Sequence, residues 1–124
     1  MKLRIRGNSI RLRLTQTEVQ RIGEGETVQE QIDFAFPLVY ALVPSDEVAD
    51  LAADYEDHIL QVKVPSALAH AWAVTDQVGM EATMSLREGA NLYVLVEKDF
   101  QCLHRDGDEA EQDNFPNPAA AEQQ

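Results

Sequence analysis

The chain has 124 residues, 44% of them apolar, which suits one domain with its own core. No apolar run approaches the ~18 residues of a membrane span. Met-Lys-Leu-Arg-Ile-Arg lacks the apolar block of a signal or transit peptide. A single cysteine, Cys102, excludes an internal disulfide, so a reducing cytoplasm is the expected home and no membrane the expected partner. The net charge of −12 is divided unevenly: residues 1–21 hold six of the ten basic residues against one acid, and the remainder is strongly acidic. Such a body repels nucleic acid at long range, and any nucleic-acid contact would be confined to the N-terminal stretch.

In chain order, Lys2–Arg6 and Ile10–Leu14 alternate polar and apolar residues around Gly7-Asn8, the signature of a hairpin with a two-residue turn. The matching register sets Ile5 opposite Ile10, Arg4 opposite Arg11, Leu3 opposite Leu12 and Lys2 opposite Arg13. It keeps the apolar face intact but makes cations face cations, which calls for an anion nearby. Thr15 with Glu18 forms a capping-box pattern before a helix over about 16–22, stopped by Gly23-Glu24-Gly25-Glu26. That glycine loop is no phosphate loop, since its acids repel phosphate and no Gly-Lys-Ser/Thr follows. Thr27–Phe34 reads as a strand with Val28, Ile32 and Phe34 on one face, where Glu30 breaks the pattern. Phe36–Val43 reads as a buried strand that Pro37 places at an edge or bend.

Pro44-Ser45-Asp46 reads as a turn, with Ser45 or Asp46 capping a few helical residues. Leu51–Tyr55 and His58–Val64 form a second hairpin around Glu56-Asp57. Pro65-Ser66 opens a helix over 66–74, with Leu68, Ala71 and Trp72 available to the core. Val78–Leu86, a turn at Glu88-Gly89, and Leu92–Val96 running on towards Phe100 complete the pattern. The order is ββαββ twice, over about 2–43 and 51–99. The expected fold is mostly β (α+β): a single domain over 1–104, a pseudo-twofold barrel or swapped-hairpin-like arrangement of the two repeats. Residues 105–124, acidic and then rich in Pro, Ala and Gln, are expected to be a flexible tail.

Gly7-Asn8-Ser9-Ile10-Arg11-Leu12-Arg13-Leu14-Thr15, a short helix and Gly23-Glu24-Gly25-Glu26-Thr27-Val28 resemble the swapped-hairpin domain of MazE and AbrB regulators. Val62-Lys63-Val64-Pro65, a helix and Asp76-Gln77-Val78-Gly79-Met80-Glu81 resemble it again. The resemblance implies intertwined halves and DNA contact through basic residues of the first hairpin. The second hairpin departs from it, with Asp50, Asp54, Glu56 and Asp57 and only Lys63 as a cation, which argues against a symmetric DNA-binding face. The whole chain is also similar to a family of short bacterial proteins of unknown function. This second likeness rests on the N-terminal Met1–Leu14 segment, Thr75-Asp76-Gln77-Val78-Gly79, the stretch Leu95–Leu103, and Asp113-Asn114-Phe115-Pro116-Asn117-Pro118. It implies no activity.

Two groups are the candidate partner-binding residues. Lys2, Arg4, Arg6, Arg11 and Arg13 on one side of the first hairpin suit phosphate, an acidic peptide or nucleic acid. Internal pairing, with Asp50, Asp54 or the acidic tail, is the competing reading for this cluster. Asp113, Asn114, Phe115, Pro116, Asn117 and Pro118 form a short linear element with one aromatic anchor, able to dock on the body or on a partner. Cys102 and His104 could open a zinc or nucleophile site, but no second cysteine completes it. No catalytic residue, cofactor or metal is therefore expected. The expected function is a non-enzymatic binding or regulatory module with a protein partner. The alternatives are a DNA-associated, antitoxin-like regulator and a small enzyme or metal protein built on Cys102 and His104.

Overall fold

Strand β1 (Lys2–Ile5) and strand β2 (Ser9–Leu14) form an antiparallel hairpin in the expected register, from Lys2 opposite Arg13 to Ile5 opposite Ile10. Gly7, at φ 54°, supplies the left-handed turn. The fold is a computed structural model that describes residues 1–100 and 112–116. Helix α1 (Gln16–Gly23) starts at a complete capping box: the Glu18 amide donates to Thr15 Oγ1 and the Thr15 amide donates to Glu18 Oε1.

Strand β3 (Val28–Ile32) and strand β4 (Leu38–Ser45) follow. Glu30, the break in the apolar pattern, carries an ion-pair partner: its carboxylate lies 3.1 Å from the Met1 ammonium, which Glu18 also holds at 2.6 Å. Strand β4 begins and ends about two residues later than the alternation suggests. Phe36 stays outside it, 74% exposed and stacked on His58. Residues 46–50 form bends with no helix.

Strand β5 (Ala52–Glu56) turns into strand β6 (Ile59–Pro65) through Asp57 and His58, both at positive φ (52° and 64°). The turn is one residue later than expected, because a two-residue primed turn needs two left-handed residues in succession. Helix α2 (Ser66–Val74) buries Ala69 and Trp72, whereas Leu68 and Ala71 face outward. The Trp72 indole N–H donates to the Val78 carbonyl at 3.1 Å. Strand β7 (Gly79–Ser85), a 3₁₀ turn and strand β8 (Asn91–Lys98) close the body.

Among the described residues the strands make two four-stranded sheets, ordered β1-β2-β8-β7 and β3-β4-β6-β5. The fold is thus mostly β with two helices. The expected closed barrel is corrected: among the described residues each sheet keeps two free edges, β1 and β7 in one, β3 and β5 in the other. Each sheet joins an N-terminal hairpin to a C-terminal one by a parallel pair, β2 with β8 and β4 with β6. Leu12, Leu14, Val94 and Val96 from one sheet share a core with Leu42, Val62 and Val64 from the other and with Val19, Ile22 and Trp72 of the helices. Each of the fully buried aliphatic side chains contributes about 1.5–3 kcal/mol. The helices pack on each other so closely that a Cβ on Gly23 would lie 2.4 Å from Ala73 Cβ.

Candidate binding surfaces

The alternation that buries Ile10, Leu12 and Leu14 sends Arg11 and Arg13 to the outer face of their sheet, where the parallel register sets Glu97 of β8 beside Arg13. One Glu97 oxygen accepts from both guanidinium groups, Arg11 closely and Arg13 at 3.0 Å. Lys2 Nζ lies 2.9 Å from Asp99 Oδ2. The anions demanded by the facing cations are therefore Glu97 and Asp99, and not Asp50 or Asp54. Among the described residues Arg4 and Arg6 have no acid partner. They line a small cleft of about 190 Å³ with Ser9, Arg11, Tyr93 and Leu95. The Tyr93 hydroxyl on its wall donates to Glu81, a hydrogen bond that raises the phenol pKa. Ile5, 64% exposed, lies between Arg4 and Arg6 on the free edge strand.

Asp113, Asn114 and Phe115 lie on the body of the same chain, although 105–124 was expected to be a flexible tail. The Gln16 amide donates to the Asp113 carbonyl at 2.8 Å, and the Thr17 amide and hydroxyl donate to Asp113 Oδ1 at 3.3 and 3.0 Å. With the Thr15 amide on Glu18 Oε1 and the Glu18 amide on Thr15 Oγ1, all four open N–H groups at the start of α1, those of Thr15, Gln16, Thr17 and Glu18, are satisfied. The Asp113 carboxylate also meets the positive end of the helix dipole. Gln16 Nε2 donates to the Asn114 carbonyl at 3.0 Å, and Asn114 is 1% exposed. The Phe115 amide donates to the Asp99 carbonyl at 2.7 Å, and its ring meets Phe100 with centroids 5.9 Å apart. Pro116 is exposed at the end of this contact, and Asn117 and Pro118 lie outside the described residues.

Lys98 joins these parts, a role that sequence reasoning missed. It is 6% exposed, donates from Nζ to the Thr75 carbonyl at the end of α2 at 2.7 Å, and stands 5.2 Å from the Phe115 ring centroid. Burial lowers its pKa, opposed in part by Asp76. The sequence signal is a charge on the same alternating face as Val94 and Val96, but its acceptor, the Thr75 carbonyl, is 23 positions away.

An apolar cleft of about 360 Å³ opens between the sheets at the hairpin tips, walled by Ile5, Ile10 and Leu92 from one sheet and Leu38, Tyr55 and Leu60 from the other. A second groove, of about 660 Å³, runs between the helices past His70 and Phe115. Cys102 and His104 lie outside the described residues. Among the described residues no three potential ligands cluster to hold a metal, and no helix is long and apolar enough to cross a membrane.

No curated protein and no solved structure matches the chain. Residues 1–119, from the basic first hairpin through the docked Asp113–Pro116 segment, match one family along their whole length, and the chain belongs to the Family of unknown function (DUF7009).

Proposed function

We propose that this chain is a non-enzymatic binding module whose partner is a protein, met along the edge of the first hairpin. The observation that carries this reading is the pair Arg4 and Arg6, without acids among the described residues, flanking exposed Ile5 on the free edge strand β1. Cations around an exposed apolar residue suit an acidic, extended segment that adds to the sheet edge. The contacts that Asp113, Asn114 and Phe115 make within the chain support the first hairpin over this segment as the partner-binding surface. The DNA-associated alternative would use the same hairpin, but Glu97 and Asp99 already engage Lys2, Arg11 and Arg13.

We further infer that the two halves are copies of one unit that have exchanged hairpins about a pseudo-twofold axis. Ser9 opposite Tyr93 in one sheet corresponds to Ile59 opposite Val39 in the other, and Leu14 opposite Lys98 to Val64 opposite Pro44. The two copies share strand order but not edge charge.

Affinity isolation with the wild-type chain and an Arg4→Glu/Arg6→Glu variant tests the binding reading. A protein retained by the wild type and lost by the variant is the expected result. Equal recovery by both overturns it, and retention of nucleic acid in place of protein moves the assignment to the DNA-associated alternative.

A further inference from the structure

The edge strand that corresponds to β1 in the other sheet is β5, and its charge is opposite. Asp54 and Glu56 occupy the outer-face positions, followed by Asp57 in the turn. Among the described residues Glu56 pairs with no cation, and Asp54 has only a 3.9 Å approach from Lys63. Each edge also exposes one large apolar residue to the same degree, Ile5 at 64% and Tyr55 at 63%.

The backbone parity of the two edges agrees. Arg6 and Ser9 exchange both hydrogen bonds at the turn, at 3.2 and 3.1 Å, so Arg4 and Lys2 also bond inward, and Leu3 and Ile5 aim their amides and carbonyls at the free edge. The two-residue turn at Asp57 and His58 makes Glu56 and Asp54 bond inward to β6, which leaves Tyr55 aimed at the other free edge. An antiparallel pair with Ile5 opposite Tyr55 therefore joins two open edges. The same register sets Arg4 opposite Glu56 and Arg6 opposite Asp54. It ends before Ala53, whose amide already donates to Met84 Sδ at 3.0 Å.

We propose that the acidic partner of β1 is the β5 edge of a second copy of this chain. The inference rests on the protein-binding reading and names its partner. A shift of one residue would place the apolar residues opposite charges, so the pattern selects the register. The net charge of −12 opposes association at long range, but screening at about 0.15 M salt limits that repulsion to roughly 8 Å, whereas the facing side chains touch. Each copy carries both a β1 and a β5, so the contact joins unlike surfaces.

Sedimentation velocity tests the proposal, at about 200 µM chain so that affinities into the upper micromolar range are seen. The wild type is expected to form dimers or larger species. Arg4→Glu/Arg6→Glu and Asp54→Lys/Glu56→Lys, all at exposed edge positions, are each expected to weaken association at least about tenfold. An equimolar mixture of the two variants is expected to restore it. A monomeric wild type overturns the proposal, as does self-association that survives either variant or a mixture that stays monomeric. A monomeric wild type that still captures a foreign protein through Arg4 and Arg6 removes this inference alone. A monomeric wild type that captures nothing removes the binding reading with it.

Discussion

Burying an ammonium group is costly unless its protons find acceptors. Lys98 meets that condition with one carbonyl, at the C-terminal end of α2 where the helix dipole favours a cation, and with the face of Phe115. Burial still holds its pKa below the value of a free lysine. A lysine with a lowered pKa in the folded state keeps its proton more firmly when unfolded, so stability rises with pH across the interval between the two values. Below the lowered value both states are protonated and the full cost of burial is present. That cost is relieved as pH climbs from the lowered value towards about 10.4. Urea denaturation of the wild type and Lys98→Met between about pH 7 and pH 10.5 isolates this contribution from the other titrating groups. The wild type is expected to gain stability relative to the variant as pH rises. A constant or falling difference would show that Lys98 is as well solvated in the fold as outside it.

At the level of elements, the contact between α1 and α2 rests on the missing side chain of Gly23, which leaves room for Ala73. Gly23→Val is expected to cost on the order of 1–3 kcal/mol in chemical denaturation, despite valine's better helix propensity. Adding Ala73→Gly is expected to recover at least about 0.5 kcal/mol, since the two positions share one space. Purely additive losses would place the damage elsewhere. The elements differ in how far the sequence reveals them, for local reasons. The first hairpin and α1 were legible down to register and cap because alternation, Gly7-Asn8 and the Thr15/Glu18 pair are signals contained within a few residues. The bounds of α2 are equally plain, but its inward face is not: Ala67, Ala69, Ala71 and Ala73 give no polar contrast, so nothing local separates buried Ala69 from Leu68 and Ala71, which face outward. Glu30 read as a defect because its partner, the Met1 ammonium, is 29 positions away. Arg4 and Arg6, without an acid partner among the described residues, are visible as cations, but only the sheet order shows that Glu97 reaches their neighbours and not them.

Across the whole molecule, the chain after β8 returns to the start of α1, and so ties the last described segment to the first helix. Phe115 was legible as an aromatic anchor in a polar stretch, but its destination was not, because the body meets Asp113 with the N–H groups of Gln16 and Thr17, and every helix start has such groups. If the segment is a structural clamp, its loss must weaken the global fold and not only free a few residues. Asp113→Ala removes the carboxylate acceptor of Thr17 and is expected to cost about 1 kcal/mol, the usual penalty for a lost cap, seen as a fall in melting temperature of about 4 °C. Phe115→Ala removes the ring between Lys98 and Phe100 and is expected to cost about 2 kcal/mol, less than for a fully buried phenylalanine. Both residues hold one segment, so the double variant is expected to lose less than the sum of the two. Thermal melts of the three variants beside Thr15→Ala, which removes the cap on the Glu18 amide, provide the scale. Melting temperatures unchanged for the tail variants but lowered for Thr15→Ala would mean that the segment rests on α1 without holding it, since both caps act on the same first turn.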